Sequence, residues 1–247
     1  MVPIAGLNGT TAEWIMRPGD LERVRELPLF ASMQAARFDQ LAQASYLQRF
    51  PESVELLREG DPADFLYVVV DGAVELYAGA NGRETTMMIV RPVSTFILAA
   101  VLRDAIYLMS ARTIEASRLL MIPGETIRTM IATDPAFSAA MIGELARAFR
   151  HMVKLAKNQK LRTGVERLAN YLLRLHFEAG EPIAFELPIE KRMLAALLGM
   201  TPENLSRAFA TLRPYGVRID GPKVRLDKVD DLRTLAKPTP LIDDPLT

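Results

Sequence analysis

Three side chains near residue 205 combine the chemistry and the spacing needed to touch the edges of nucleic-acid bases. Glu203, Ser206 and Arg207 lie on one face of a predicted helix, with Ala210 beside them and the apolar Leu205 on the other face. Arginine can bond guanine as a two-donor fork, and glutamate can accept from the exocyclic amine of cytosine. This face therefore predicts a surface that could read a major groove.

The residues before that face predict two helices joined by a tight turn. The helices are expected over 189–198 and 202–212. Ala195 is small where the helices would cross, Gly199 permits a positive φ, and Thr201 would cap the second helix ahead of Pro202. The predicted core between the helices consists of Leu194, Leu197, Leu198, Leu205 and Phe209. An ordinary helical hairpin with a solvated Glu/Arg pair remains the alternative.

Cationic side chains surround this helix pair. Two strand-like segments, 217–219 and 223–226, flank a turn at Asp220-Gly221 and fit the wing of a winged helix. Phosphate contacts set affinity and register rather than sequence preference. The residues expected to make them are Lys191, Arg192, Arg213, Lys223 and Arg225.

The net charge of zero hides an asymmetry. Residues 150–233 carry sixteen Lys and Arg against ten Asp and Glu, and the rest of the chain carries fourteen against twenty. A basic C-terminal third suggests a polyanion-binding module, although a solvated basic face without a partner would look the same.

Several classes of protein are disfavoured by composition. The chain has no cysteine, which excludes disulfides and thiolate-ligated metals. It has no apolar run of membrane-spanning length, and its first residues lack the basic segment followed by an apolar segment that is typical of a secretory signal. We therefore expect a cytoplasmic protein without membrane contact. It also lacks a phosphate-binding glycine loop and metal-ligand spacing, and we expect no enzymatic activity.

The N-terminal half predicts short strands behind two helices. Asp20 is expected to cap a helix that begins at Leu21, and a second helix is expected over 35–47. Asp71-Gly72 predicts a tight hairpin between two strands, and Gly79-Ala-Asn-Gly82 predicts another turn. The spacing favours an antiparallel barrel or sandwich. Its strands are expected at 54–57, 65–70, 73–77, 85–90, 110–116 and 119–122.

A long helix is predicted after Asp134-Pro135. Its apolar residues recur at steps of three and four and form a narrow seam about six turns long, which favours pairing with a twin helix over packing on a core. The seam comprises Phe137, Met141, Leu145, Phe149 and Met152, and continues to Leu155.

Two separate motifs resemble the CRP/FNR superfamily of transcription regulators. Thr201-Pro-Glu-Asn-Leu-Ser-Arg207 resembles that family's Glu-x-x-Ser-Arg recognition helix. Residues 59–74 resemble its cyclic-nucleotide-binding-type β-roll, and Leu27-Pro-Leu-Phe30 matches its first helix. The resemblance covers about residues 21–236.

The resemblance implies an α+β fold with five segments. They are a flexible tail (1–19), an antiparallel β-roll sensor domain (20–133), a dimerisation helix (134–157), a winged helix-turn-helix (158–236) and a second tail without regular structure (237–247).

The resemblance also implies a homodimer on double-stranded DNA that reads a TTGA(T/C)-like inverted repeat. Arg207 would contact the guanine, Glu203 the paired cytosine and Ser206 a thymine. It further implies an activator that contacts RNA polymerase, although the sequence itself identifies neither the target genes nor activation as opposed to repression.

Two residues of the β-roll argue against binding of cyclic AMP. Where the family's cassette has a ribose-binding carboxylate and a phosphate-binding cation, this chain has Ile97 and Tyr107. A buried phosphate without a paired cation is unfavourable. Arg103 and Arg112 are nearby in sequence but out of register.

The sensor's effector stays open. A pocket for a hydrophobic ligand and a filled core without a ligand are both compatible with the apolar segment, the filled core slightly more so. The pocket would be formed by Ile97, Leu98, Ala99, Ala100, Arg103 and Tyr107. No cofactor is expected; a haem-based sensor is an alternative, but His151 and His176 lie outside the β-roll. A regulatory module without DNA binding is a further alternative, against which Glu203 and Arg207 argue.

Overall fold

The computed structural model describes residues 18–244, which form two compact units. The first unit ends at Ala146 and the second begins at Arg147. The expectation for residues 1–17 lies outside the described residues, whereas Pro18 and Gly19, expected in the tail, belong to the first helix. None of the helices in the described range is both long and apolar enough to span a bilayer.

The first unit is an antiparallel β-roll with helices at both ends. Its strands form two four-stranded sheets of order β1-β8-β3-β6 and β2-β7-β4-β5. The elements are α1 (Pro18–Arg25), α2 (Ala35–Gln43), β1 (Tyr46–Phe50), β2 (Glu55–Leu57), β3 (Phe65–Asp71), β4 (Val74–Ala80), β5 (Arg83–Val90), β6 (Ser94–Phe96), α3 (Leu98–Arg103), β7 (Ser110–Thr113), β8 (Ser117–Pro123) and α4 (Gly124–Thr133). The predicted β-roll is thus confirmed.

The predicted hairpin at Asp71-Gly72 is wrong, because β3 and β4 belong to different sheets. The chain crosses between the sheets at Gly72, whose φ is +85°. A Cβ there would overlap Ser117 Oγ, so the crossing also requires a residue without a side chain. The predicted turn at Gly79–Gly82 does form a hairpin, in which Ala80 pairs with Arg83.

Two local predictions in this unit fail for tertiary reasons. Asp20 lies within the first turn of α1 and not at its N-cap. Its side chain is buried and forms a salt bridge with Arg118 at 2.8 Å. The second helix ends at Gln43 instead of continuing to Leu47, because Tyr46–Phe50 pair with β8. The short strand β6 was also missed; three residues cannot display a clear period.

A long helix, α5 (Pro135–Leu161), begins where the sequence predicts. Asp134 Oδ1 accepts hydrogen bonds from the backbone N–H groups of Ala136 and Phe137, at 3.0 and 3.1 Å. These bonds satisfy donors that a helix N-terminus otherwise leaves without a partner.

The second unit contains the rest of the chain around its own apolar core. Its three strands form one antiparallel sheet of order β10-β11-β9. The elements after α5 are α6 (Gly164–Glu178), β9 (Ala184–Glu186), α7 (Lys191–Leu197), α8 (Pro202–Leu212), a 3₁₀ turn (Arg213–Tyr215), β10 (Val217–Asp220), β11 (Lys223–Leu226), α9 (Val229–Ala236) and α10 (Pro240–Asp243).

The C-terminal segment corrects one expectation. Residues 237–247 were expected to be without regular structure, yet Pro240–Asp243 form α10. The Arg162 guanidinium pairs with the Asp243 carboxylate at 2.5 Å. Four helical residues would not persist alone in water, so we attribute the helix to this tertiary contact.

Candidate nucleic-acid interface

Helix α8 is built as its sequence predicts. The Thr201 hydroxyl accepts from the backbone N–H of Asn204 at 3.2 Å, and Pro202 occupies the first turn. Leu205 and Phe209 are buried against the unit's core. The opposite face is exposed, so the period of 3.6 residues separates a packing face from a free one.

Glu203, Ser206 and Arg207 all lie on the exposed face of α8. A hydrogen bond with the Thr201 side chain, followed by smaller contributions that include the charge of Arg207, lowers the pKa of Glu203. Glu203 is therefore an acceptor at neutral pH, as a contact to cytosine requires.

Asn204 is a contributor that the sequence reasoning missed. Its Oδ1 accepts from Arg207 Nη2 at 2.8 Å, one helical turn away. This bond holds the Arg207 guanidinium over the exposed face and limits its rotamers. The i, i+3 spacing was the available signal.

The turn before α8 holds the two helices close together. Ala195 and Leu198 are buried, whereas Leu197, expected in the core, is only partly buried. Gly199 has a φ of +64°, and a Cβ there would lie 2.7 Å from Gln159 Oε1. The positive φ is what requires glycine here, because the Gln159 side chain is exposed and its flexible end could move aside.

A groove of about 570 Å³ lies between α8 and β10. Ser206 lines it, with Lys191, Arg213 and Arg218 at its walls. Lys191 and Arg213 are phosphate contacts expected from the sequence, whereas Arg218 was not among them. Three cations around one groove form a suitable surface for a phosphate backbone.

Two of the wing's cations share one carboxylate. Asp227 contacts Arg225 Nε at 2.5 Å and Arg218 Nε at 2.8 Å. Arg225, with Arg218 in support, lowers the pKa of Asp227. Arg225 thus already has an anionic partner. Lys223 and Arg192, the remaining expected phosphate contacts, are exposed.

Of the six residues expected to form an effector pocket, four pack in or against the core of the first unit and two are exposed. Ile97 precedes α3 with a φ of +66°, and Leu98 and Tyr107 are buried. Ala99 and Arg103 are exposed on the same helix, and Ala100 is only partly buried. Successive side chains of a helix point in different directions around its axis, so some residues of this apolar run are buried and others are exposed. The run of apolar residues in the sequence did not reveal this division.

Aromatic rings fill the core beside this segment. Tyr67 stacks on Phe96 with ring centroids 5.1 Å apart. Burial raises the pKa of Tyr107, so its hydroxyl stays protonated at neutral pH. A neutral phenol is a poor partner for a phosphate diester.

Arg112 is neutralised by carboxylates of the same sheet. Its Nε lies 2.7 Å from Glu75 and its Nη2 2.7 Å from Glu84. Glu75 is buried and also accepts from the Thr86 hydroxyl. The guanidinium packs over the Tyr77 ring as well. These partners disfavour Arg112 as a cation for an added phosphate.

Neither histidine belongs to a metal-type cluster. His176 is buried, and its Nδ1 lies 3.0 Å from Pro182 O. Loss of hydration and the charges of Arg174 and Lys154 lower the pKa of His151. Within residues 18–244, no three His, Asp or Glu side chains are grouped so that they could hold a metal ion.

The expected dimerisation seam of α5 divides into two parts. Phe137 and Met141 are buried in the core of the first unit, and Leu145 packs partly against that core. Phe137 and Met141 are therefore not available to a twin helix, contrary to expectation. Phe149 is 71% exposed and Met152 also lies open. The apolar stripe of α5 thus packs against the core of the first unit near the start of the helix and is exposed in its later turns.

Two domain families match this chain. Residues 47–134 match the cyclic nucleotide-binding domain, and residues 166–235 match the Crp-like helix-turn-helix domain. The first match coincides with the β-roll, and the second includes α7, α8 and the wing.

Similar proteins align with this chain over most of their length. A CRP-like cAMP-activated global transcriptional regulator of Mycobacterium tuberculosis is 25% identical over 194 residues, which are 76% of this chain and 87% of the relative. A global nitrogen regulator of Synechococcus elongatus is 25% identical over 176 residues, which are 68% of this chain and 78% of that regulator. The structure of FixK2 from Bradyrhizobium japonicum has a TM-score of 0.68 at 22% identity and covers 79% of this chain and 98% of that one.

Proposed function

Because this chain belongs to the CRP/FNR superfamily of DNA-binding transcription regulators, we propose that it acts as a homodimer that reads a TTGA(T/C)-like inverted repeat without depending on cyclic AMP. In this proposal residues 20–133 are the sensor, 134–157 the dimerisation helix and 158–236 the DNA-binding domain. RNA polymerase is the second macromolecular partner that the family implies.

The exposed face of α8 is the observation that carries the proposal. Arg207, held by Asn204, would present a donor fork to guanine O6 and N7, and ionised Glu203 would accept from cytosine N4 on the opposite strand. Ser206 would contact a thymine. The cations Lys191, Arg192, Arg213 and Lys223 would contact the flanking phosphates, whereas Arg218 and Arg225 would first have to part from Asp227.

Independence from cyclic AMP is supported by the state of the β-roll. Arg112 is paired with Glu75 and Glu84, Arg103 is exposed, and Tyr107 is buried and protonated. The stacked rings of Tyr67 and Phe96 favour a filled core over a pocket for a hydrophobic effector.

A binding-site selection from randomised duplexes tests the base assignment. The native chain is expected to select a TTGA-type inverted repeat, and cyclic AMP is expected to leave its affinity unchanged. Arg207→Ala should lose discrimination at the guanine by about 1–3 kcal/mol, the contribution of one bidentate pair. Affinity for each selected site is measured by fluorescence anisotropy.

Arg207→Lys is the matched control. It keeps the charge and can still donate to guanine O6 and N7, but without the rigid fork, so it should keep the salt dependence of binding and part of the preference for guanine, whereas Arg207→Ala loses both. If Arg207→Ala still demands guanine at that position, the assignment of the base contacts is wrong.

A further inference from the structure

The junction between α5 and α6 is held by the C-terminal segment of the chain. Arg162 stands at this junction with its side chain only 7% exposed. Its Nη1 and Nη2 donate to the two carboxylate oxygens of Asp243, at 2.7 and 2.5 Å. Asp243 is 81 residues further along the chain and 29% exposed. Such a fork-to-fork pair fixes direction as well as distance.

Further contacts attach the same segment to α5. Lys157 Nζ donates to Leu241 O at 3.3 Å, and Lys154 Nζ donates to Asp244 O at 2.6 Å. Both are charge-assisted hydrogen bonds, because each donor is an ammonium group. The segment Thr239–Asp244, here called the C-terminal clasp, thus contacts α5 at Lys154 and Lys157, about one turn apart, and the residue that follows α5, Arg162.

The other side of the junction is attached to the turn that precedes α8. Arg167 donates from Nη1 to Arg162 O at 2.7 Å and from Nε to Leu198 O at 2.8 Å. Arg167 Nη2 also donates to Gly199 O at 3.4 Å. The end of α5 is therefore bonded on one side to the clasp and on the other to the helix-turn-helix.

We propose that Arg162 and Asp243 are positioning residues for DNA recognition: the C-terminal clasp fixes the direction in which α8 is presented from the end of α5. This inference rests on the proposed function. In a dimer, two α8 helices must enter major grooves about one helical turn apart. A small rotation at the junction would displace each of them, so a fixed junction makes binding sensitive to the spacing of the half-sites.

The test varies that spacing. Each inserted base pair rotates one half-site by about 35° relative to the other. Native full-length protein should lose affinity sharply with one or two insertions. Asp243→Asn, which removes one charge of the pair and keeps one carbonyl oxygen as an acceptor, should reduce that penalty by about 5-fold, the scale of one ordinary hydrogen bond.

Two control variants separate positioning from general effects of charge. Asp230→Asn removes an equal charge from an exposed aspartate that forms a salt bridge with Arg233, three residues away on α9, and it should keep the native spacing profile. Asp243→Glu keeps the carboxylate and should restore most of the spacing sensitivity. An unchanged profile in Asp243→Asn would overturn the proposal.

Amide hydrogen exchange provides a readout without DNA. Amides of residues 158–166 should exchange at least about 5-fold faster in Asp243→Asn than in the native chain or Asp230→Asn, because local opening controls exchange. Equal exchange in all three proteins would contradict the clasp. If the native protein binds no inverted repeat, the proposed function fails, while the exchange measurement still decides whether the clasp holds the junction.

Discussion

Single residues around α8 show how a surface can be built for a charged partner. Asn204 holds Arg207 on the side of α8 that stays exposed, and a hydrogen bond with Thr201 lowers the pKa of Glu203. In the wing the arrangement differs, because Asp227 draws Arg218 and Arg225 to itself. A DNA phosphate approaching the wing would compete with this carboxylate for both cations.

Asp227→Asn is therefore expected to strengthen binding to DNA of any sequence. Releasing two cations should steepen the slope of log affinity against log salt by about 1–2, since each added phosphate contact contributes about 0.9. Titrations at several salt concentrations measure this slope.

Asp220→Asn is the control for the wing, because it removes the same charge at the tip of the hairpin. If both variants steepen the slope equally, net charge alone accounts for the effect and the competition by Asp227 is not required.

At the scale of elements, the two sheets of the first unit are connected between β3 and β4 by the chain crossing at Gly72. Gly72 combines a φ of +85° with atoms of Ala116 and Ser117 within 2.7 Å of the position that a Cβ would take. Gly82, in the hairpin between β4 and β5, has a φ of +72° with nothing within 4 Å of that position. Both glycines thus have a positive φ, but only at Gly72 would a side chain also overlap neighbouring atoms.

Alanine at each glycine separates the two demands. Gly82→Ala should lower the free energy of unfolding by about 1–2 kcal/mol through the left-handed backbone alone. Gly72→Ala should lower it by about 2–5 kcal/mol, because the steric overlap adds a further ~1–3 kcal/mol. Urea unfolding measures both. Equal losses would show that the crossing can adjust around a side chain.

At the scale of the whole molecule, α5 carries an apolar face that the described chain leaves uncovered. Ile142 is 68% exposed, and Phe149, Met152 and Val153 continue its stripe. Exposed apolar side chains at helical spacing favour a second helix as a partner. A two-fold arrangement would bring the same residues of two chains together.

Phe149→Glu is expected to convert the proposed dimer into monomers at micromolar concentration, because a charge would be placed in an apolar interface. Phe177→Glu is the matched control, since Phe177 on α6 is 69% exposed and lies outside the stripe. Analytical ultracentrifugation gives the masses. A dimeric Phe149→Glu protein would contradict the use of this face.

Local patterns determined much of this protein. The capping residues Asp134, Thr201 and Pro202, the turn at Gly199 and the exposed face of α8 follow from neighbours within four residues, and the structure places each as expected. The fold class followed as well, because alternating and helical periods are written in consecutive residues.

Only the tertiary structure decided what depends on residues distant in sequence. It moved Asp20 from a cap to a buried pair with Arg118, turned a predicted hairpin into a crossing between sheets, and divided the α5 seam between a core and an exposed face. It also ordered α10 through Arg162. Each outcome requires a partner dozens of residues away, and a short window of sequence cannot specify which partner a side chain will meet.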